Sequence, residues 1–318
     1  MPIFKIHHIT KYEYDRPVKE STNEIKIFPF QCNDQEILQH QLEITDQPEI
    51  FQYTDYWGNK IGLFNVLAPH KTLIIESQLI IRTTLSETLN INFISGFDEL
   101  QKEVKDNLLL LELSRADTIE SQKSIEEIIE ILNPANKSIA EIAQNCNEFI
   151  FSNFKYIKGI TNIETTVDEI LEHRSGVCQD FAHVMLQILR TLQIPSRYVS
   201  GYICPNKNGM RGEGATHAWV EAFIPGTGWV GLDPTNNVWV TNTHVKLAVG
   251  NHFNDCTPAK GTFKGPARQK LSVYVSVGYE DGHVFEEKTN VQMQTLDDND
   301  KELLIDDNYM GQQQQQQQ

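Results

Sequence analysis

The sequence predicts an α+β fold: an N-terminal antiparallel β-sandwich domain, followed by a domain in which one buried helix packs on an antiparallel sheet. Three observations support this prediction. Residues 1–85 contain repeated runs in which apolar and polar residues alternate, which is the period of half-buried strands. A run with apolar residues three and four apart begins at Cys178 and indicates a buried helix. Alternating runs return after this helix and are separated by turns that contain Gly and Pro.

The first domain is defined by its strand-like alternation. In residues 4–14, one face carries the side chains of Phe4, Ile6, His8, Thr10, Tyr12 and Tyr14. Similar runs occur at residues 24–28, 37–44, 61–67 and 72–82. Turn-forming residues such as Gly58 and Asn59 separate the runs. We therefore predict that residues 1–85 form an antiparallel β domain, with the two-layer packing of a sandwich.

A helical connection and a second domain follow. Beyond residue 98 the hydrophobic residues change to helical spacing, and Asn133-Pro134 ends this segment. We interpret residues 86–136 as a helical connection and residues 137–295 as the second domain. In that domain, helices are predicted at residues 138–152, near 166–173 and from Cys178 onward. Strands are predicted at residues 197–203, 216–224, 229–233, 238–249, 271–279 and 284–293.

The charge and the two chain ends limit the classes of partner. The chain has 27 basic and 43 acidic residues and a formal charge of −16. Such a chain is poorly suited to nucleic acids or anionic membranes, because both bind clustered cations. The N-terminus has no basic and apolar stretch of a secretion signal, so we expect a cytoplasmic protein. The acidic tail, residues 296–318, ends in seven glutamines and is predicted to be disordered.

Cys178 stands at the start of the central helix and allows two interpretations. Its thiol lies at the positive end of the helix dipole, where N–H groups can stabilise a thiolate or an oxyanion. Gly176 permits a tight turn and would leave room for a ligand beside the sulfur. However, Cys178 also continues the apolar stripe of the helix, so it could be a small buried core residue. The helix alone does not decide between these interpretations.

A hairpin downstream supplies the partners that a thiol nucleophile needs. Residues 216–224 alternate, a Pro-Gly-Thr-Gly turn follows, and the chain returns towards Asp233. In an antiparallel hairpin with this turn, His217 and Asp233 are nearly opposite, so the carboxylate can orient the imidazole. Taken separately, His217 could be a histidine at the surface of the sheet, and Asp233 could be a carboxylate of a turn. A helix-start cysteine followed by both residues on one hairpin favours a Cys-His-Asp triad.

Metal and nucleotide sites are not predicted. The five cysteines are scattered, without a CxxC pair, and no HxxxH or HExxH motif occurs. The glycine-rich motifs of nucleotide-binding loops are also missing from the sequence. We therefore expect no metal and no cofactor.

Several segments together resemble the transglutaminase-like, papain-related superfamily of cysteine enzymes. The most specific are "RSGVCQDFAHVMLQILRTLQ" around Cys178 and "THAWVEAFIPGTGWVGLDPT" around the hairpin. The N-terminal "HHITKYEYDRPVKESTNEIKIFPF" resembles the β domain that precedes this fold in bacterial members. The resemblance covers residues 4–85 and 137–261. The sequence departs from the family pattern at residues 251–253, where Asn-His-Phe replaces a Gly-Arg-Asp-like turn.

The resemblance implies a papain/transglutaminase-like core and a cysteine peptidase or amidase that acts on a peptide or protein amide. It assigns the nucleophile to Cys178, the base to His217 and the orienting acid to Asp233. Candidate oxyanion or cleft residues are Tyr156, Gly176 and Trp219. Two alternatives stay open, namely protein-glutamine transamidation, which would cross-link proteins, and a non-catalytic module that binds a peptide in the same groove.

Overall fold

The computed structural model describes residues 1–161, 165–204, 210–211 and 216–280, together with the backbone of residues 291–292. It confirms the predicted α+β class, with antiparallel sheets and a strand-rich N-terminal region. The N-terminal strands are β1 (Ile3–Val18), β2 (Glu20–Ile25), β3 (Gln35–Ile44), β4 (Phe51–Thr54), β5 (Lys60–Val66) and β6 (His70–Thr83). The sequence did not predict β4, which is exposed along its whole length and so lacks the alternation of a half-buried strand.

The helical connection contains three helices, α1 (Phe97–Val104), α2 (Leu108–Leu113) and α3 (Gln122–Leu132). The following region contains α4 (Ile139–Asn153), β7 (Lys155–Tyr156), α5 (Val167–His173), β8 (Ser175–Gly176) and α6 (Cys178–Thr191). The helix α4 begins where the sequence indicates, because the Ser138 hydroxyl accepts from the Glu141 N–H and the Glu141 carboxylate accepts from Ser138.

The remaining elements are β9 (Ser196–Ile203), β10 (Thr216–Ile224), β11 (Gly228–Asp233), β12 (Val238–Trp239), β13 (His244–Gly250), α7 (Phe253–Cys256), β14 (Ala259–Lys264), β15 (Gln269–Tyr279) and β16 (Val291–Gln292). Strands β12-β11-β10-β9-β13 form one five-stranded sheet in that order. The helix α6 is buried between this sheet and α3, α4 and α5. That position explains why nearly every α6 side chain is buried, rather than a single stripe.

The chain returns to the N-terminal sheets after the second domain. Strand β15 pairs with β1, and β14 pairs with β2. The resulting sheets have the orders β16-β15-β1-β6-β3 and β14-β2-β5-β4, and one buried apolar cluster joins them. The sequence range 137–295 therefore includes strands that lie in the N-terminal sheets. Sequence periodicity could not show this, because it identifies a strand but not its distant partner.

Two further expectations fall partly or wholly outside the described residues. The strand predicted at residues 284–293 is described only at β16, and the tail at residues 296–318 is not described. Among the described helices, none combines the length and apolar character that crossing a membrane requires. The cytoplasmic location expected from the sequence stays a prediction.

Gly201 allows the β13 backbone and the Trp219 indole to pack closely against β9. It lies on β9, opposite His217 of β10 and Lys246 of β13. A Cβ atom at this position would lie 2.0 Å from the Val245 carbonyl oxygen and 2.6 Å from the Trp219 ring. Only glycine permits both neighbours to approach this far.

We predict that Gly201→Ala lowers the free energy of unfolding by at least about 2 kcal/mol, because a backbone oxygen must move to admit the methyl group. Chemical denaturation of wild type and variant measures the difference. The control is Ser200→Ala, a neighbouring buried position where nothing is added. A Gly201→Ala stability no lower than that of Ser200→Ala would contradict the packing described here.

Candidate active site

The start of α6 holds Cys178 in a fixed and buried position. The thiol residue is 1% exposed. The Asp180 carboxylate, two residues further on, accepts hydrogen bonds from the Val177 N–H at 2.7 Å and the Thr161 hydroxyl at 2.6 Å. Burial raises the pKa of Asp180, and these two hydrogen bonds only partly offset that effect. Asp180 therefore fixes the helix start, as an acidic residue in the first turn does in many proteins.

Gly176 is small enough to let the Asp180 side chain approach. A Cβ atom on Gly176 would lie 2.4 Å from an Asp180 carboxylate oxygen. That Gly176 also leaves room for a ligand beside the sulfur stays a prediction. The Gly176 carbonyl oxygen also accepts from the Ile157 N–H at 2.9 Å, which ties β7 to β8 just before Cys178.

His217 and Asp233 meet across the β10–β11 hairpin. Val220 pairs with Leu232, and the same register would place Asp233 opposite Trp219 and therefore diagonal to His217. Long side chains reach one another across such a diagonal. The His217 Nε2 and an Asp233 carboxylate oxygen are 2.8 Å apart, and both side chains are completely buried. The structure thus brings together the two residues that the sequence pairs, although they are offset by two positions.

The imidazole of His217 connects the acid to the thiol. Its Nδ1 is buried and has no nitrogen or oxygen partner among the described residues. Burial would lower the pKa of His217, but the negative charges of Asp233 and Cys178 and their hydrogen bonds outweigh it and raise the pKa to about 10. The raised pKa favours an imidazolium beside the Asp233 carboxylate.

The Asp233 carboxylate has more donors than the sequence predicts. One oxygen accepts from the Thr235 N–H at 2.9 Å. The other accepts from His217, from the Asn236 side-chain amide at 2.7 Å and from His244 Nε2 at 3.4 Å. Burial would raise the pKa of Asp233, but the charges and hydrogen bonds of His217 and His244 hold it well below its ordinary range. The Asp-Pro-Thr-Asn turn could have indicated Asn236, whereas no local pattern links His244 to the site.

Tyr156 lies close to the start of α6. Its backbone pairs with Gly176 in the short β7–β8 ladder, and its ring meets the edge of Phe181 on α6 at 6.2 Å between centroids. Burial raises the pKa of Tyr156, and the charges of Cys178 and Asp233 raise it further. The phenol therefore stays protonated and can donate a hydrogen bond. Its role as an oxyanion donor stays a prediction.

Trp219 and Glu221 share the His217 face of β10, as the alternation predicts. The Trp219 ring stacks beside His217 at 6.4 Å and 27°. It also lines a cavity of about 240 Å³ between the sheet and the N-terminal strands. Glu221 lines the same cavity but forms ion pairs with Arg197 and Lys246. These cations overcome the effect of burial and lower the pKa of Glu221 to about 2, so this carboxylate is a fixed negative charge.

Three side chains of the site belong to types that can bind metals. Ligand atoms of His217, Asp233 and His244 all lie within 4.8 Å of one another. The two Nε2 atoms approach the same carboxylate oxygen at 2.8 and 3.4 Å, which are hydrogen-bond distances. We interpret the group as an acid held between two imidazoles, and the absence of a metal stays a prediction. The five cysteines, all among the described residues, form no disulfide.

Comparisons with known proteins identify the family of this chain. Residues 128–234 match the transglutaminase-like superfamily, and residues 4–82 match the bacterial transglutaminase-like N-terminal region. An uncharacterised protein of Mycobacterium leprae is 30% identical over 286 residues, which span 86% of this chain and 97% of the relative. A protein-glutamine gamma-glutamyltransferase of Pseudomonas aeruginosa is 36% identical over 83 residues, or 24% of this chain and 12% of that protein.

The fold also matches a solved structure. The crystal structure of a proposed cysteine protease from Cytophaga hutchinsonii superposes with a TM-score of 0.67 at 23% identity, over 92% of this chain and 96% of that one. The superfamily predicted from the sequence motifs is confirmed. The chain belongs to the transglutaminase-like superfamily and carries its bacterial N-terminal region.

Proposed function

We propose that the protein is a cysteine-dependent amide hydrolase, in which Cys178 is the nucleophile, His217 the general base and acid, and Asp233 the orienting acid. The observation that carries this proposal is the buried His217–Asp233 pair at 2.8 Å, with Cys178 near enough to help raise the pKa of His217. The superfamily consists typically of cysteine-dependent enzymes, which supports the same assignment.

In the proposed resting state, the Cys178 thiol has already given its proton to His217 Nδ1, which leaves a thiolate–imidazolium pair. Because Asp233 occupies Nε2, Nδ1 is the nitrogen that remains for the thiol. The thiolate attacks the amide carbonyl carbon and forms a C–S bond, while the carbonyl oxygen takes the negative charge. His217 then donates its proton to the amine as the C–N bond breaks, and a thioester remains.

Two donors could hold the oxyanion of the tetrahedral intermediate. The N–H of Cys178 belongs to the first turn of α6, where N–H groups have no acceptor within the helix. The Tyr156 hydroxyl stays protonated and is the proposed second donor. A donor of this kind contributes about 3–4 kcal/mol to transition-state stability in related chemistry.

Hydrolysis and transamidation differ in how the thioester reacts next. In hydrolysis, His217 removes a proton from water, the hydroxide adds to the thioester, and the thiol is released. In transamidation, an amine takes the place of water. We favour hydrolysis for this chain and keep transamidation as the alternative, because a glutamine-specific transferase of Pseudomonas aeruginosa shares the short segment described above. A peptide-binding module without catalysis is the third possibility.

We predict that iodoacetamide at pH 7 alkylates Cys178 at least about tenfold faster than it alkylates Cys32 or Cys146, because only Cys178 contacts an imidazolium. Burial raises the pKa of both comparison thiols. Mass spectrometry of peptides from briefly treated protein measures the three rates. Equal alkylation rates would reject an activated thiol.

Cys178→Ala should eliminate amide turnover and retain cooperative unfolding, with Cys146→Ala as the matched control.

The acyl acceptor can be determined in H₂¹⁸O with a mixed library of peptides that contain backbone amides and glutamine side chains. We predict carboxylate products that carry one ¹⁸O atom, and hydroxamates of the same acyl groups when hydroxylamine is added, because both nucleophiles intercept one thioester. The Cys178→Ala variant is the control. Products formed only when an amine is present would favour transamidation instead, and the lack of any Cys178-dependent product would favour the binding module.

A further inference from the structure

Two imidazoles approach the same oxygen of Asp233. His217 reaches it from β10, and His244 reaches it from the first residue of β13. Strands β10 and β9 lie between β11 and β13 in the sheet, so this contact is not one between neighbouring strands. The Trp219 ring meets that of His244 at 5.1 Å and 74°. The His244 side chain therefore reaches the carboxylate across β9 and β10, beside Trp219.

The hydrogen bonds of His244 define its tautomer. The Thr243 hydroxyl lies 3.1 Å from Nδ1, and Nε2 lies 3.4 Å from Asp233. A carboxylate cannot donate, so Nε2 carries the proton and Nδ1 accepts from Thr243. Burial lowers the pKa of His244, and the charge on His217 lowers it further, against the opposite effect of Asp233. The neutral His244 ring thus donates to the Asp233 carboxylate, which already contacts the charged His217 ring.

We propose that His244 is a positioning residue for the proposed amide hydrolysis: its Nε2–H holds the Asp233 carboxylate in the orientation that His217 needs. The proposal rests on the proposed function. The Thr235 N–H fixes one carboxylate oxygen, and His244 and Asn236 limit rotation of the other. The contact of 3.4 Å is long, and such contacts often shorten in the reacting complex. It shortens here as His217 gives up its proton, because the carboxylate then loses its cationic partner.

The variants His244→Phe and His244→Gln distinguish the effect of the hydrogen bond from the effect of the aromatic ring. Phenylalanine keeps an aromatic ring against Trp219 but has no donor, whereas glutamine can place an N–H near the position of Nε2. We expect His244→Phe to lower kcat by about 10- to 100-fold with KM nearly unchanged, which is the usual range for losing one hydrogen bond to a charged group. We expect His244→Gln to recover most of this loss. The substrate is the library peptide that the wild type hydrolyses fastest, and the alkylation rate of Cys178 by iodoacetamide is a second readout that needs no substrate.

The matched controls are His8→Phe and His8→Gln. His8 is also buried and neutral, with its pKa lowered to about 4 mainly by burial, and its ring hydrogen-bonds to Tyr202 and Thr10 away from the triad. Thermal unfolding of all four variants shows which ones remain folded at the assay temperature. The His8 variants should keep the wild-type alkylation rate of Cys178 even where they lose stability.

The outcomes distinguish the two proposals. A wild type whose Cys178 reacts no faster than Cys32 rejects the proposed function, and the role of His244 with it. A reactive wild type with an equally reactive and active His244→Phe variant overturns only the role of His244. Equal losses in folded His244→Phe and His244→Gln also overturn it, because the donor would then not be the cause. A loss of activity in His244→Phe that is recovered in His244→Gln supports the proposed role of His244.

Discussion

The Asp233 carboxylate is a completely buried negative charge, and much of the second domain is arranged around it. Removing such a group from water costs several kcal/mol unless charges and hydrogen bonds compensate. Its compensation comes from three places in the chain: His217 on β10, the turn that holds Thr235 and Asn236, and His244 on β13. The compensating groups therefore come from strands that are not neighbours, because β10 and β9 lie between β11 and β13.

The N-terminal region contacts β13 on the side away from β9. The cavity beside Trp219 is lined by residues of the sheet and by Asp34 and Gln35 of the N-terminal region. The Gln35 side-chain amide donates to the Lys246 carbonyl oxygen, and its oxygen accepts from the Lys246 N–H. Asn59 makes the same pair of contacts with Val249. These contacts satisfy the outer edge of β13 and fix the strand that carries His244.

The sequence predicts the local parts of this structure better than the distant ones. Alternation identifies β1 and β6, and the capping pattern at Ser138 gives the start of α4, because both depend on nearby residues. Cys178, His217 and Asp233 could be grouped because a hairpin and a helix start have simple geometry. The role of His244 and the pairing of β15 with β1 could not be predicted, because each depends on contacts between residues far apart in the chain.

The charge state of His217 is the most direct test of this account. Nitrogen-15 NMR of the labelled protein, with His217 assigned by comparison with His217→Gln, reports whether each ring nitrogen carries a proton. We predict an imidazolium that persists above pH 8 and loses its proton near pH 10, because Asp233 and Cys178 both raise the pKa. In Cys178→Ala the midpoint should fall, since one negative charge is gone. A wild-type midpoint at or below the ordinary value of about 6.5 would contradict the ion pair on which the proposed chemistry depends.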